Sequence, residues 1–280
     1  MTTAASARWA ARAQAVGVTA RRALSASGGR ARVLARPGGA AFLTAAGEIV
    51  WLGPITAPLH PRAVLVAAVP DVAIDTELTI DATAVRAWAP TAIPLDSDGV
   101  SRLRAGWREL VRDLAALGIP AGFGVLLADA PLAFPLDGAA VHARALARAC
   151  ARDEATAATP AALALLGLGG GLTPSGDDFV GGMLFARQLL AAAGRAEPER
   201  WRRLADAVKQ AATTCTHPIS AALLSDLASG SGHAPLHEMV TALAAGDLPR
   251  ARRAAATLAR LGHSSGWDML AGVDAGLGNG

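Results

Sequence analysis

A glycine-rich segment followed by two aspartates has the residue types of a ligand-binding loop. It spans residues 167–182 and reads GLGGGLTPSGDDFVGG. Four glycines within five positions cost backbone entropy, so a chain that keeps them usually needs left-handed backbone angles or close backbone approach. A helix is expected to follow, and the N–H groups at its N-terminus favour an anion such as phosphate or carboxylate. The predicted anion-binding residues are Gly169, Gly170, Gly171, Leu172, Thr173, Ser175 and Gly176.

The two aspartates invert the charge that a nucleotide-binding P-loop would carry. Asp177 and Asp178 stand where the Walker A motif has lysine and serine or threonine. They would repel a nucleoside triphosphate, but they could hold Mg²⁺ that bridges to a phosphate, or accept hydrogen bonds from the NH₂ of a carbamoyl group. Alternatively, the only role of both aspartates could be to complement the helix dipole. We predict catalytic roles for both, with Mg²⁺ as the metal they could hold and no other cofactor.

Local helix capping is a second explanation for the polar residues of this segment. Thr173 could cap the helix with Pro174 at its first position. Alternatively, Ser175 could cap it with Asp178 three residues later, as in a capping box.

A second segment, near the C-terminus, repeats this helix start. Residues 265–272, SGWDMLAG, align with residues 175–182, SGDDFVGG, and could supply the other half of one site. His263 precedes them and could act as a general acid or base, since histidine titrates near neutral pH. A capping box of Ser265 and Asp268 is the local alternative. We predict His263 as catalytic, and Ser264, Ser265 and Asp268 as ligand-binding.

A third polar cluster, TTCTHPIS at residues 213–220, interrupts the helical pattern between these two segments. Taken alone it is a turn between helices, with Thr216 or Ser220 as the cap. As part of the site, it would contribute Thr213, Thr214 and Ser220 to ligand binding. The chain has no HExxH or CxxC motif and no Ser/His/Asp order typical of a hydrolase triad.

The amino-acid composition limits the classes of ligand that are expected and indicates the cellular compartment. The net charge is +3, arginines occur one or two at a time, and there is no tyrosine, so basic stripes and stacking platforms for nucleic acid are not expected. A small anionic metabolite fits better. Two isolated cysteines favour a reducing compartment, and the arginine-containing N-terminus lacks the apolar run of a secretory signal. We predict a cytoplasmic protein without a membrane span.

The remaining pattern predicts an α+β protein. Five extended runs fall between residues 30 and 82, with hairpin turns at Gly38-Gly39 and Ala46-Gly47, which predicts a small, mainly antiparallel β-rich unit over residues 1–98. Residues 99–280 are predicted as a helical bundle carrying the glycine loop. FGVLLAD, residues 123–129, reads as a strand. Helices are predicted at 100–117, with Leu114 on the apolar face, and at 137–152, 178–193, 198–213, 219–228, 235–245, 248–261 and 265–277.

Three of these motifs resemble a bacterial family that includes the H subunit of oxamate carbamoyltransferase (AllH-like proteins). The matching elements are GLGGGLTPSGDDFVGGML, TTCTHPIS and GHSSGWDMLAG, in this order, behind a β-rich half with a Gly53-Pro54 step. Gly170 departs from the proline that we expect in many relatives. The resemblance implies a role in allantoin breakdown, where a carbamoyl group moves between oxamate and phosphate in an assembly with two other subunit types.

Two functions follow as expectations. In the first, the chain is a carbamoyltransferase subunit in which the glycine loop binds carbamoyl phosphate, oxamate or a similar anion and the segment at His263 completes the pocket. In the second, the same loop binds a ligand in a non-catalytic or scaffolding subunit, and the chemistry lies in a partner chain. The lack of a conventional nucleophile pair keeps the second open.

Overall fold

The computed structural model describes residues 9–93, 95–113 and 116–278. The chain divides into two compact units, of which the first ends at Pro90 and the second begins at Thr91. The first contains a curled mixed sheet and the second is helical, with 54% of residues in helices and 13% in strands overall. The predicted α+β class is therefore confirmed.

The first unit is built on one sheet of eight strands within the described residues. The order across the sheet is β1-β7-β3-β4-β5-β6-β2-β8, with four antiparallel and three parallel pairings, so the sheet is mixed. The elements are β1 Trp9–Arg12, β2 Ala15–Gly17, α1 Val18–Ala26, β3 Arg30–Ala35, β4 Ala41–Ala45, β5 Glu48–Pro54, β6 Ala63–Val66, β7 Glu77–Asp81 and β8 Ala87–Trp88.

The five extended runs in the sequence correspond to β3 through β7. Both predicted turns form: Gly38 has φ +56° between β3 and β4, and Ala46 and Gly47 have φ +48° and +80° between β4 and β5. Positive φ at two central residues matches the twist of a two-residue hairpin. β1, β2 and α1 were not predicted, because their short alanine-rich segments lack a clear apolar period.

The second unit contains nine α-helices within the described residues. They are α2 Ser97–Arg112, α3 Ala140–Ala151, α4 Ala155–Leu165, α5 Ser175–Ala192, α6 Pro198–Cys215, α7 Pro218–Ala228, α8 Ala234–Ala245, α9 Leu248–Ala259 and α10 Ser265–Leu277. Short 3₁₀ helices cover Gly122–Ala128 and Asp137–Ala139. Among the described residues, no helix combines the length and apolarity needed to cross a bilayer.

One sequence prediction for this unit is wrong and one helix was missed. Residues 123–128 of the segment FGVLLAD lie in the 3₁₀ helix Gly122–Ala128 instead of a strand, since a short apolar run does not distinguish the two by its period. Helix α4 was not predicted, because it contains Pro160 and a run of alanines without a polar face. Leu114, predicted on the apolar face of α2, lies outside the described residues.

Helices α5 and α10 pack with their backbones almost in contact, through glycines at equivalent positions of the internal repeat. A Cβ atom on Gly182 would lie 2.3 Å from the carbonyl oxygen of Met269, and one on Gly272 would lie 2.0 Å from that of Phe179. In the alignment of the two helix starts, Gly182 corresponds to Gly272 and Phe179 to Met269. The contact is therefore reciprocal, as across a pseudo-two-fold axis, and it brings both N-termini to one end of the pair.

Candidate functional site

The N-termini of α5 and α10 are joined by two pairs of hydroxyl groups. Thr173 Oγ1 lies 3.2 Å from Ser265 Oγ, and Ser175 Oγ lies 3.2 Å from Ser264 Oγ. Ser175 is buried, whereas Thr173, Ser264 and Ser265 are partly exposed. The prediction that the two repeated helix starts meet is confirmed, and they form a layer of four hydroxyls.

The capping explanations for these residues are wrong. The residue that precedes α5 is Pro174, and neither Thr173 nor Ser175 caps the helix with its side chain. At α10 the cap position belongs to Ser264, which makes no side-chain capping bond, and Ser265 is the first helical residue. The tight crossing at the glycines lets these hydroxyls bond across to the other helix instead.

Two carboxyl groups lie near the hydroxyl layer in a crossed pattern. The hydroxyl of Ser265 of α10 acts to lower the pKa of Asp178 of α5, and the hydroxyls of Ser264 of α10 and Ser175 of α5 act to lower the pKa of Asp268 of α10. Asp178 and Asp268 occupy equivalent positions in the repeat, so each helix contributes a carboxyl to the hydroxyls of the other.

The Oδ1 atom of Asp268 has a further donor from a distant part of the unit. It accepts a 2.6 Å hydrogen bond from the backbone N–H of Phe123. The preceding residue must be glycine, because a Cβ atom on Gly122, where φ is +55°, would lie 2.2 Å from Asp268 Oδ1. The 3₁₀ helix Gly122–Ala128 thus begins against the carboxyl of Asp268.

Burial makes the carboxyls of Asp178 and Asp268 weaker acids than an ordinary aspartate. It raises the pKa of Asp178 well above its usual range, and the neighbouring charge of Asp268 raises it further. Burial also raises the pKa of Asp268 to about 7, against the opposing hydrogen bonds from Phe123 and the serines. The Oδ2 atom of each carboxyl is buried and has no hydrogen-bond partner in the described part of the chain. The helix starts therefore enclose two acceptor atoms that the protein leaves unsatisfied.

Asp177 points to a different set of donors and fixes the glycine loop. Its Oδ1 accepts the N–H of Gly167 at 2.8 Å, and its Oδ2 accepts the hydroxyls of Ser220, at 2.6 Å, and Thr216. The prediction that Thr216 or Ser220 caps α7 is wrong. The cap is His217, whose Nδ1 accepts the N–H of Ile219 at 3.2 Å. Asp177 is buried and links the loop to the turn between α6 and α7.

The glycine loop presents backbone donors beside the hydroxyl layer. Gly167, Gly169 and Gly171 have φ values of +74°, +109° and +87°, which explains why glycine stands there. Gly170 and Gly171 are exposed. The N–H groups of residues 169–173 donate no hydrogen bond to any described residue. Five successive amides are thus available to an anion from outside.

Three of the predicted site residues make no hydrogen bond with this cluster in the described part of the chain. Thr213 and Thr214 are exposed on the last turn of α6, where their hydroxyls bond back to the carbonyls of Gln210 and Ala211. His263 is exposed, and its imidazole makes no hydrogen bond within the described ranges. It lies next to Ser264 in sequence, but no described acidic group is hydrogen-bonded to it.

Two features of the site were missed in the sequence. Thr216 stands inside the TTCTHPIS motif, and its shared role with Ser220 could have been suggested by their spacing across one turn. The N–H of Phe123 joins Asp268 from 145 positions away, and no local pattern points to that contact.

No metal cluster is evident in the part of the chain that the structure describes. None of the groupings of His, Cys, Asp and Glu there brings together three side chains that could hold a metal ion. Both oxygens of Asp177 are occupied by protein donors, so an ion at Asp177 and Asp178 would have to displace at least one of them.

The comparisons with known proteins agree with the motifs. The family model described as oxamate carbamoyltransferase subunit AllH matches residues 165–277, from the end of α4 to the end of α10. None of the curated proteins and none of the solved structures matches the chain. The matched segment contains the glycine loop, the turn that holds Asp177 and both repeated helix starts. The resemblance predicted from the three motifs is thereby confirmed over residues 165–277, which match the AllH family.

Proposed function

We propose that this chain is a subunit of a carbamoyl-transferring enzyme of the oxamate carbamoyltransferase type and binds carbamoyl phosphate, oxamate or a similar small anion at the paired N-termini of α5 and α10. The family match supports the enzyme type. The breakdown of allantoin, or a related nitrogen catabolism, is the metabolic setting that the proposal includes. The other subunits of such an enzyme are the expected protein partners.

One observation carries the binding proposal. The hydroxyl contacts Thr173–Ser265 and Ser175–Ser264 hold the N-termini of α5 and α10 side by side. The positive ends of both helix dipoles meet there. The free amides of residues 169–173 add donors on one side. A phosphate or carboxylate bound against this loop would receive several hydrogen bonds without a lysine or arginine.

The arrangement suits transfer chemistry that depends on fixed donors. When a carbamoyl group leaves phosphate, the C–O bond breaks and negative charge grows on the departing phosphate oxygen. Preorganised N–H groups of the glycine loop would stabilise that charge, and the helix starts would hold the acceptor molecule in place. Asp177 acts in this scheme as a positioning residue, since both of its carboxyl oxygens accept hydrogen bonds from the protein, including the N–H of Gly167.

A specific observation supports a second candidate, a ligand-binding subunit whose chemistry is completed by a partner chain. The hydroxyls of the site contact one another and not a histidine, and His263 is exposed and makes no hydrogen bond with any described residue. The described residues therefore assemble no acid–base pair at the helix starts. This candidate predicts binding by the isolated chain, with turnover only after partner subunits are added.

The proposal is tested by titrating the full chain with carbamoyl phosphate and with inorganic phosphate in a calorimeter. Thr173→Ala and Ser265→Ala each remove one hydroxyl of the layer and are expected to weaken carbamoyl phosphate binding by about tenfold. Thr257→Ala is the matched control, because that hydroxyl is exposed on α9 and bonds only within its own neighbourhood. No binding, or equal binding by all three variants and the wild type, would refute the site.

Turnover separates the two candidates. Subunits that co-purify with the chain are assayed for carbamoyl transfer with and without it, and the isolated chain is assayed alone. Transfer by the isolated chain supports the catalytic subunit. Transfer that requires a partner, together with ligand binding by the isolated chain, supports the ligand-binding subunit.

A further inference from the structure

We propose that the helical unit has a second binding site, a cavity beside Asp129 and Arg144 that takes a small α-amino acid with an apolar side chain. The cavity has a volume of about 250 Å³ and is lined by the 3₁₀ helix Gly122–Ala128 and by helices α3, α5 and α10. Pockets for drug-sized ligands measure about 300–1,000 Å³, so this one suits a smaller molecule. The four hydroxyl-bearing residues of the helix starts do not line it, so it is separate from the site proposed above.

Two oppositely charged side chains stand at the rim of the cavity and do not pair with each other. Asp129 and Arg144 are exposed, and neither side chain forms an ion pair or a hydrogen bond with a residue of the described ranges. Both charges are therefore available to a ligand. A molecule with one cationic and one anionic group would satisfy both, whereas a molecule with a single charge would leave one of the two side chains without a partner.

A third charged residue shows which ligand groups suit the two sides of the cavity. Asp274 of α10 is half-buried, and its Oδ1 atom accepts a 2.6 Å hydrogen bond from Nε1 of Trp107, which holds the carboxyl in place. The carboxylates of Asp129 and Asp274 suit an ammonium group. The guanidinium of Arg144 suits a carboxylate, which it can bind through two N–H groups at once.

The rest of the cavity wall is apolar, because every other lining residue is leucine, alanine or phenylalanine. Leu126 and Leu127 of the 3₁₀ helix form one side, and the buried residues Phe179, Ala143 and Ala271 form the others. A hydrocarbon side chain bound against this wall would be removed from water, which stabilises the complex. An amino acid with an apolar side chain therefore matches both the charges and the wall.

The fold already holds the elements that carry these groups. The N–H of Asp129 donates to the carbonyl of Leu126 at 3.2 Å, and that of Ala130 donates to Val125 at 3.1 Å, so the end of the 3₁₀ helix is fixed where Asp129 follows it. Arg144 lies in α3, from which Ala143 and Ala147 also line the cavity. Binding would mainly have to order the side chain of Arg144, which keeps its entropic cost low.

The test titrates the full chain with four ligands in a calorimeter at pH 7, where the amino and carboxyl groups of an amino acid are both charged. L-leucine is expected to bind about tenfold or more tightly than isocaproate, which lacks the ammonium group, and than isoamylamine, which lacks the carboxylate. Glycine is expected to bind about tenfold or more weakly than leucine, because it lacks the hydrocarbon side chain. Failure of leucine to bind, or equal binding of leucine and any of the other three ligands, would overturn the assignment.

Two variants test the place of binding. Arg144→Gln removes the cation, and Ala147→Leu fills part of the cavity, so each is expected to weaken leucine binding by about tenfold or more. Arg148→Gln is the matched control, because this arginine is exposed one turn further along α3 and does not line the cavity. Arg144 is exposed, so its replacement is expected to leave the fold intact, which circular dichroism checks. Equal leucine affinities of Arg144→Gln and Arg148→Gln would refute the site.

Competition separates this cavity from the helix starts. Saturating carbamoyl phosphate is expected to change the dissociation constant of leucine by less than about twofold, since distant sites without shared partners act independently. Arg144→Gln is likewise expected to leave carbamoyl phosphate binding unchanged. Displacement of leucine by carbamoyl phosphate would place both ligands at one site and overturn the second.

Discussion

The backbone N–H of Gly167 donates a 2.8 Å hydrogen bond to the Oδ1 atom of Asp177, ten residues later in the chain. The bond spans the whole glycine loop, from its first residue to the first turn of α5. Gly167 cannot carry a side chain there, since a Cβ atom would lie 2.3 Å from the carbonyl oxygen of Cys215. The loop is thus clamped at its base while its exposed glycines stay open to a ligand.

Asp177→Asn is expected to destabilise the helical unit by about 1–3 kcal/mol, because the amide NH₂ would face either the N–H of Gly167 or the hydroxyls of Thr216 and Ser220. Urea unfolding followed by circular dichroism measures the change. Asp206→Asn is the control: that aspartate is exposed and lies 3.9 Å from Lys209, so its loss should cost less than about 0.5 kcal/mol. Equal stability of the two variants would show that the Asp177 cluster does not hold the loop.

Gly272→Ala tests whether the close crossing of α5 and α10 builds the site. The added Cβ would lie 2.0 Å from the carbonyl oxygen of Phe179, a backbone atom that can move only with its helix. We expect a loss of about 1–3 kcal/mol in the free energy of unfolding, together with weaker ligand binding as Ser175 and Ser264 separate. Gly138→Ala is the matched control, because a Cβ there meets nothing within 4 Å. A variant of Gly272 with unchanged unfolding and binding would contradict the account.

The sequence was sufficient for the parts of the fold that rest on local periodicity. Strands β3 to β7 alternate or form short apolar runs between turn residues, and most helices show an apolar face. Helix α4 was not predicted, because Pro160 and a run of alanines obscure its apolar face in the sequence. The polar residues at the helix starts matched capping patterns, yet they bond between helices, since a serine followed three positions later by an aspartate suits either arrangement.

Part of the candidate site could also be predicted from the sequence. The internal repeat of residues 175–182 and 265–272 pointed to two helix starts of one kind, and their glycines explain why they meet. The exposed position of His263 could not be inferred, because its neighbours gave no sign of which side of the turn faces solvent. The contact between Phe123 and Asp268 depends on how the 3₁₀ helix folds over α10, which only the tertiary structure determines.

Carbamoyl phosphate binding is not expected to depend on magnesium. We predicted Mg²⁺ at Asp177 and Asp178, but Asp177 uses both oxygens for protein donors, which leaves Oδ2 of Asp178 as the unsatisfied oxygen of the two residues. Mg²⁺ takes about six oxygen ligands, and one carboxyl whose pKa burial raises well above its usual range does not favour the ion. Removing divalent ions with EDTA is therefore expected to change carbamoyl phosphate binding by less than about twofold. A loss of about tenfold that added Mg²⁺ restores would instead establish the metal.

The last prediction concerns two buried histidines that the site does not use. Burial lowers the pKa of His237 to about 4, and burial with the nearby charge of His237 lowers the pKa of His233 to about 4. The Nε2 atom of His237 accepts the N–H of Gly232 at 3.0 Å, which requires the unprotonated ring. An unfolded histidine titrates near 6.5, so the stability that the neutral rings contribute is complete above that pH and is lost as the pH falls toward 4.

His237→Gln isolates this contribution, since the glutamine carbonyl can still accept the N–H of Gly232 but does not titrate. Between pH 7 and pH 5 the wild type is expected to lose about 2 kcal/mol more stability than the variant, from roughly 1.5 pH units of linkage at 1.36 kcal/mol each. Comparing the two proteins cancels the opposite effect of Asp268, whose raised pKa makes it stabilising as the pH falls. Urea unfolding of both proteins at the two pH values measures the difference. Parallel losses in the wild type and the variant would show that His237 is not held neutral by the fold.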